Sequence, residues 1–176
     1  MTLALCIVQA FKRTNGELSV MQASVTEYQS LITAVILAGG QGQRMGGRDK
    51  GLLRWRNQPL VEYLLLALGS QVTHLAINAN RHLEQYAAYG YPVISDQLSD
   101  FQGPLAGFAS ALEGVKTPYI IFLPCDAPRV AADYVQRLWR GCLAENTELA
   151  VAHDGERLQP VHALVGVSLL PSLLQF

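Results

Sequence analysis

A glycine-rich stretch with three basic side chains is the part of the sequence best suited to chemistry. Residues 33–53 read TAVILAGGQGQRMGGRDKGLL, where an apolar run leads into a loop that carries Arg44, Arg48 and Lys50. The loop glycines are Gly39, Gly40, Gly42, Gly46 and Gly47. Glycines permit positive φ and let backbone N–H groups approach an anion closely. Because cations accompany them, this pattern predicts a loop that binds a polyphosphate.

The two common phosphate-binding loops do not fit this spacing. A dinucleotide fingerprint G-x-G-x-x-G that starts at Gly40 and Gly42 places Met45 where the third glycine should be. A Walker loop fits from Gly42 to Gly47, but Arg48 and an aspartate follow instead of Lys and Ser/Thr. An ordinary glycine-rich turn is the structural alternative, although the clustered cations exceed what a turn needs.

Beyond the loop, apolar runs alternate with amphipathic segments. Strands are predicted at 34–37, 72–78, 93–95, 119–123, 149–152 and 161–167, and helices at 59–68, 81–89, 105–115 and 131–144. Repeated strand–helix units are typical of an α/β protein with a mainly parallel sheet covered on both faces. The expected architecture is therefore a three-layer α/β/α, Rossmann-like fold.

Polar side chains follow the predicted strands where each one ends. Asn78 and Asn80 end the second strand, Asp96 ends the third, and Asp126 follows the fourth. Ligands of open α/β sheets bind outside the carboxyl ends of the strands. These residues and the glycine loop are therefore expected to meet at one edge of the sheet.

Asp126 is the strongest single candidate for a metal ligand. It follows an apolar strand, and Mg²⁺ in proteins takes one or two carboxylates and completes its shell with water and phosphate oxygens. The alternative is a helix cap near Ala131, but Pro128 interrupts the gap and makes capping less natural. Cys125 has no positioned base beside it, so we interpret it as a small buried residue.

Composition excludes several classes of protein. A net charge of −1 over 176 residues gives no sign of nucleic-acid or membrane-surface binding. The three cysteines form no C-x-x-C pair, so neither a disulfide framework nor a zinc site is indicated and a reducing cytoplasm is the simplest compartment. Segment 12–30 is polar and lacks clear periodicity, and residues 1–32 are predicted to be a flexible extension or an overlong start, with Met21 as a later start.

The motifs in their order resemble a known family. The motifs are LAGG at 37–40, RMG at 44–46, DK at 49–50, NANR at 78–81, Asp96, GPLAG at 103–107, PCD at 124–126 and HDGER at 153–157. Together they resemble nucleotidyltransferases related to molybdenum cofactor guanylyltransferase, from about residue 33 to 167. The wider group includes sugar-nucleotide pyrophosphorylases and cytidylyltransferases.

The resemblance implies a reaction and a set of residues. The donor would be GTP, the acceptor the phosphate of molybdenum-carrying molybdopterin, and the metal Mg²⁺ or Mn²⁺, with molybdoenzymes or their chaperones as further partners. Arg44, Lys50 and Asp126 would be catalytic, and Asp154 and Arg157 would bind the acceptor. Nucleotide-binding residues would be Leu37, Ala38, Gly39, Gly40, Lys50, Asn78, Asp96 and Asp126. An acceptor phosphate is already anionic near neutral pH, so transfer needs no protein base.

Three other functions stay open from the residues alone. The same loop could serve a cytidylyltransferase, a sugar-phosphate nucleotidyltransferase or a nucleotide-binding module without turnover. The apolar end, SLLPSLLQF, is typical of a helix cut short near Pro171. We therefore expect the domain at 33–176 to be C-terminally shortened, with Leu173, Leu174 and Phe176 promoting association.

Overall fold

The computed structural model describes residues 27–40, 46–97 and 103–175. Its helices are α1 (Tyr28–Leu31), α2 (Leu60–Gly69), α3 (Leu83–Ala87), α4 (Pro104–Gly114), α5 (Tyr134–Glu145) and α6 (Leu170–Leu173), the last preceded by a 3₁₀ turn at Val167–Leu169. Its strands are β1 (Ile32–Leu37), β2 (Arg54–Trp55), β3 (Gln58–Pro59), β4 (His74–Asn78), β5 (Val93–Ile94), β6 (Tyr119–Pro124), β7 (Leu149–His153) and β8 (Leu158–Gly166).

Six strands form one sheet in the order β5-β4-β1-β6-β8-β7. The first four run parallel, whereas β8 is antiparallel to β6 and β7 is antiparallel to β8. The expected mainly parallel sheet is therefore confirmed, with an antiparallel hairpin at one side. Each predicted strand and helix is present, with its ends shifted by at most three residues.

Helices cover both faces of the sheet. Alternate residues of β1 point in opposite directions, so that Ile36 packs with α2 and α5 while Val35 packs with α4. Strands β1 and β6 are apolar almost throughout because both of their faces are covered. This confirms the three-layer architecture.

Two short elements were not expected from the sequence. A separate hairpin pairs β2 with β3 through a turn in which Arg56 and Asn57 both have positive φ, at 49° and 67°. Helix α1 lies within the predicted extension at 1–32, and Tyr28 and Ile32 are buried in the core. The end of that segment therefore belongs to the domain. None of the helices in the described ranges is long and apolar enough to cross a membrane.

The carboxyl ends of the four parallel strands lie at one edge of the sheet, as the topology requires. The β7–β8 hairpin extends past this edge. Because Phe122 pairs with Ala163, the end of β6 at Pro124 lies level with Val161, and β8 begins three residues earlier at Leu158. The hairpin therefore projects roughly 10 Å beyond the end of β6, at about 3.3 Å per residue.

Candidate functional site

The glycine loop leaves the carboxyl end of β1 and is exposed where the structure describes it. Gly40, Gly46, Gly47 and Arg48 are all exposed, and Gly46 and Gly47 have φ of 65° and 77°. Only glycine adopts this conformation readily, which explains the pair in the sequence. The predicted catalytic residue Arg44 lies outside the described residues.

The strand ends on either side of β1 are closely joined. The Ala38 N–H donates to the Asn78 carbonyl at 2.7 Å, and the Cys125 N–H donates to the Leu37 carbonyl at 3.0 Å. The start of the loop is therefore held between β4 and β6. Leu37, Ala38 and Gly39 lie at the centre of the edge, where the sequence placed them.

Lys50 and Asp126 form the charged pair of this edge. Lys50 Nζ donates to Asp126 Oδ2 at 2.9 Å, across 76 residues of sequence, and the side chains are 41% and 44% exposed. The two predicted catalytic residues are thus brought together, one from the loop and one from the end of β6. Their partial exposure leaves both accessible to a ligand.

Asp96 lies between two asparagines. Asn78 Nδ2 donates to Asp96 Oδ1 and Asn80 Nδ2 donates to Asp96 Oδ2, each at 2.7 Å. The Asp96 N–H in turn donates to Asn80 Oδ1 at 2.9 Å. The structure therefore joins the predicted residues Asn78 and Asp96 in one cluster. A carboxylate has about four lone-pair sites, so Asp96 can still accept hydrogen bonds from a ligand.

Two glycines bring backbone against this cluster. A Cβ at Gly107 in α4 would lie 2.6 Å from Asn78 Oδ1, and one at Gly39 would lie 2.8 Å from Asn80 Nδ2. Neither distance is compatible with a side chain unless the asparagines move. A Cβ at Gly40, in contrast, would meet nothing within 4 Å. Gly107 and Gly39 are thus both required for close packing, whereas Gly40 is not, a difference that the sequence pattern alone did not show.

Sequence reasoning missed a group of residues that holds the end of the glycine loop. The buried carboxylate of Asp49 accepts hydrogen bonds from the Tyr86 hydroxyl at 2.6 Å, from the Gly51 N–H at 3.1 Å, and pairs with His82 Nδ1 at 3.0 Å. His82 is a surface residue, with 44% of its side chain exposed, that still pairs with this buried carboxylate. Burial and the bond to Asp49 raise the pKa of Tyr86, so its hydroxyl remains a donor.

Arg81 was also missed as a loop contact, although the sequence places it in the NANR motif. Its guanidinium donates to the Gly47 carbonyl at 2.9 Å and to the Gly40 carbonyl at 3.1 Å. The signal available in the sequence was an arginine one residue after Asn80, at the same strand end as the other polar residues. Nothing in the spacing indicated that it would reach the loop.

Cys125 and His162 are buried below the edge. Burial, followed by the charges of Asp126 and Asp49, raises the pKa of Cys125 to about 12, so it is a protonated thiol at neutral pH. Burial lowers the pKa of His162, opposed by the charge of Asp126, and the ring lies 3.4 Å from the Tyr134 hydroxyl. Neither residue is placed to act as an exposed nucleophile or base.

The β7–β8 turn carries the two predicted acceptor residues. Asp154 accepts from the Arg157 N–H at 2.8 Å, the Glu156 N–H at 2.9 Å and Gln159 Nε2 at 2.6 Å. The two backbone bonds lower the pKa of Asp154 to about 2. The Arg157 side chain is 80% exposed, with its Nε 3.9 Å from Asp154. Asp154 thus shapes the turn, while Arg157 extends into solvent.

An aromatic side chain contacts the loop that follows β6. Trp55 of β2 contacts two guanidinium groups, with Arg56 at 4.8 Å and Arg129 at 5.7 Å from its ring centroid. Arg129 follows Asp126 by three residues in the loop after β6. The β2–β3 hairpin and the loop after β6 are therefore in contact.

A phosphate-type glycine loop, a Lys–Asp pair and a polar cluster at the carboxyl edge of a three-layer sheet are typical of a nucleotide-binding enzyme. The sequence profile of the MobA-like NTP transferase domain matches residues 34–176. The chain belongs to this family, which confirms the expected nucleotidyltransferase class.

Individual relatives agree with this result. The chain is 48% identical over 144 residues to the molybdenum cofactor guanylyltransferase of Pasteurella multocida, covering 82% of the chain and 76% of that protein. Among solved structures, it resembles molybdopterin-guanine dinucleotide biosynthesis protein A of Archaeoglobus fulgidus, with a TM-score of 0.65, 18% identity and coverage of 81% and 71%. A Mycobacterium tuberculosis protein in complex with manganese has a TM-score of 0.62 at 20% identity, with coverage of 84% and 77%. The likeness to these two structures concerns the fold.

Proposed function

We propose that the protein transfers GMP from GTP to the phosphate of molybdenum-carrying molybdopterin, releasing pyrophosphate and forming the guanine dinucleotide cofactor. The observation that carries the proposal is the Lys50–Asp126 pair at 2.9 Å, beside an exposed glycine loop at the carboxyl edge. The identity of donor and acceptor follows from the relatives that bear the name molybdenum cofactor guanylyltransferase. These relatives do not favour the cytidylyl, sugar-phosphate or non-catalytic alternatives.

The nucleotide is assigned to the region between the glycine loop and the Asp96 cluster. Backbone groups of Leu37, Ala38, Gly39 and Gly40 would line it, and the close approach at Gly39 leaves no room for a side chain. Asp96 offers lone pairs to hydrogen-bond donors of the nucleoside, while Asn78 and Asn80 fix its orientation.

Lys50 is assigned to the phosphates. Its ammonium lies at the carboxyl edge of the sheet, hydrogen-bonded to Asp126, and its positive charge can pair with a triphosphate. Arg44 is proposed to assist from the same loop, on the strength of the motif alone. Both cations would stabilise charge that develops on the leaving pyrophosphate.

The residues fit a divalent cation of the Mg²⁺ type. Asp126 presents a half-exposed carboxylate, and the described residues contain no group of three or more His, Cys, Asp or Glu side chains that could hold a metal. A single carboxylate shared with substrate phosphates is the usual arrangement for Mg²⁺, and Mn²⁺ accepts the same oxygen ligands. When bound at Asp126, the ion supplies charge neutralisation at the phosphates.

The transfer itself is an in-line displacement. An oxygen of the acceptor phosphate forms a bond to the α-phosphorus of GTP, the bond from this phosphorus to the bridging oxygen breaks, and pyrophosphate departs with the electron pair. The acceptor phosphate is largely ionised near neutral pH, because its second pKa is about 6, so no proton must be removed. The buried thiol of Cys125 agrees with a reaction that uses no enzyme nucleophile.

The acceptor is assigned to the side of the site bounded by the β7–β8 hairpin. This hairpin projects past the strand ends, and Arg157 on its turn is a largely exposed cation that can pair with an anionic group. Asp154 would contribute indirectly, because its carboxylate bonds hold the turn that presents Arg157.

The test is the release of pyrophosphate from GTP, CTP and UTP, each with and without molybdenum-loaded molybdopterin. We expect release only with acceptor present and GTP at least tenfold preferred. Binding of GTP without any release in the presence of acceptor would indicate a regulatory module instead. A preference for CTP or for a sugar phosphate as acceptor would favour the corresponding alternative.

A further inference from the structure

A single side chain bonds the backbone of the glycine loop at two separate glycines. Arg81 donates from one terminal nitrogen to the Gly40 carbonyl at 3.1 Å and from the other to the Gly47 carbonyl at 2.9 Å. Both glycines lie in the connection between β1 and β2, and Arg81 comes from the segment after β4. The planar guanidinium carries donors in a fixed fork, so it can serve two carbonyls at once.

We propose that Arg81 is a positioning residue whose two hydrogen bonds, to Gly40 and Gly47, hold the backbone of the glycine loop; we call this pair of bonds the clasp. The clasp thereby sets the affinity of this backbone for the triphosphate of the donor. This inference rests on the proposed function, because it assigns the loop to phosphate. Nothing in the arrangement requires Arg81 to touch the nucleotide, since both terminal nitrogens donate to backbone carbonyls.

The clasp also fixes the direction of a backbone donor. In a planar trans peptide the carbonyl and the N–H of the same unit point in opposite directions. The Gly47 carbonyl is turned toward Arg81, so the N–H of Arg48 in the same peptide points away from it. Ordering this donor in advance reduces the conformational entropy that is lost when an anion binds. That loss is large for a glycine-rich segment.

A second attachment comes from the same segment and acts on the end of the loop. Tyr86 and His82 both bond the buried Asp49, which directly precedes Lys50. A Cβ at Gly51 would collide with the Tyr86 hydroxyl, so the chain passes very close to this tyrosine. The loop is thus attached at Gly40, Gly47 and Asp49, all from one short stretch between residues 81 and 86.

The discriminating experiment compares Arg81→Lys and Arg81→Ala with the wild-type protein. Binding of inorganic triphosphate with Mg²⁺ is measured by calorimetry at a temperature where every variant is folded. Lysine keeps the charge but lacks the fork, so both variants should bind about tenfold more weakly. The matched control is Arg140→Ala, which removes an exposed arginine from α5 and should leave binding unchanged.

Steady-state kinetics with GTP distinguish a positioning role of Arg81 from a purely structural one. KM for GTP should rise about tenfold in both Arg81 variants, whereas kcat at saturating GTP should change less than about threefold. Wild-type binding restored by Arg81→Lys would show that Arg81 acts through its charge and would overturn the clasp. A lowered Tm with unchanged triphosphate affinity would also overturn it.

The outcome for Arg81 is separable from the outcome for the proposed function. Turnover of the wild-type protein with GTP and acceptor tests the function, whereas the ratio of variant to wild-type affinity for inorganic triphosphate tests the clasp. A wild-type protein that binds triphosphate but prefers another nucleotide would refute the donor and leave the clasp standing. A wild-type protein that does not bind triphosphate would refute both.

Discussion

The nucleotide side and the hairpin side of the site are built in different ways. Around the glycine loop, several side-chain bonds join distant parts of the chain, as between Lys50 and Asp126 or between Asn78 and Asp96. In the β7–β8 turn, the partners of Asp154 among the described residues all lie within five positions of it. The nucleotide side therefore depends on the whole fold, whereas the hairpin turn is held by local bonds.

This difference indicates how each region should respond to change. Removing one group from the nucleotide side loosens elements that come from several strands, so the loss should extend to groups beyond the one removed. Removing one group from the hairpin turn should remain local. The following predictions test that contrast, from the largest expected effect to the smallest.

The largest effect is expected for Asp126→Ala. The variant lacks the proposed metal ligand and the ion pair between Asp126 and Lys50, so kcat should fall by about 100-fold or more. Pyrophosphate release is the measurement, and circular dichroism establishes that the variant is folded. Asp133→Ala, which removes an aspartate paired with Arg137 on α5, should retain normal turnover. Near-normal turnover by folded Asp126→Ala would remove Asp126 from the mechanism.

Lys50→Ala should weaken binding of GTP by about tenfold and leave binding of guanosine nearly unchanged. A charge-assisted hydrogen bond to phosphate contributes about 1.5–3 kcal/mol, and only the triphosphate presents that anion. Calorimetry with both ligands measures the difference. Equal losses for guanosine and GTP would contradict a phosphate role for Lys50.

Gly107→Ala tests the packing between α4 and the Asp96 cluster. Its Cβ would lie 2.6 Å from Asn78 Oδ1, so the buried asparagine must move, at a cost of about 1–3 kcal/mol in the free energy of unfolding. Affinity for GTP should fall about fivefold, because Asn78 orients Asp96. Urea denaturation and calorimetry measure the two effects.

Gly40→Ala is the matched control for Gly107→Ala. Its Cβ meets nothing within 4 Å in the described residues, so stability should be unchanged. Any loss of GTP affinity in this variant would then reflect contact with the ligand itself. A loss of stability in Gly40→Ala as large as in Gly107→Ala would show that close packing does not explain the difference between the two positions.

Asp154→Asn should have the smallest effect on GTP, less than about twofold in affinity. Its hydrogen bonds lower the pKa of Asp154 from 3.8 to about 2, so the ionised form stabilises the turn. The stabilisation of the turn by the ionised carboxylate is complete above the ordinary pKa of an aspartate and is lost as the pH falls toward about 2. NMR shifts of the Gly155 and Glu156 amides should titrate in this window in the wild-type protein, and these amides should not titrate there in the variant. A pH-independent wild-type turn would contradict the assignment.

Periodicity and strand ends were enough to predict most of the fold. Apolar runs such as 119–123 located β6, and the rule that ligands bind at the carboxyl edge predicted that the glycine loop and Asp126 lie at that edge. The ion pair between Lys50 and Asp126 was not itself predicted. The β2–β3 hairpin was not predicted because its strands have two residues each, too few for an alternating pattern.

Long-range hydrogen bonds could not be read from the sequence. The contacts of Arg81 with Gly40 and Gly47 span 41 and 34 residues, and a motif that contains an arginine does not state which carbonyls it reaches. Asp49 illustrates the same limit, because its burial depends on Tyr86 in a helix 37 residues away. Asp154 shows the converse: an Asp-Gly pair between two strands is typical of a turn, whereas the acceptor role of Asp154 came from the resemblance alone.

The two tryptophans provide optical reporters of separate events. Trp139 is fully buried and packs edge-on against Tyr119, with ring centroids 5.1 Å apart, so its emission should follow unfolding of the core. Trp55 is only partly buried and lies under Arg129, close in sequence to Asp126. A ligand that shifts the loop after β6 would alter the fluorescence of Trp55 and leave that of Trp139 unchanged. A Trp139→Phe variant would therefore let nucleotide binding be followed in real time without any added label.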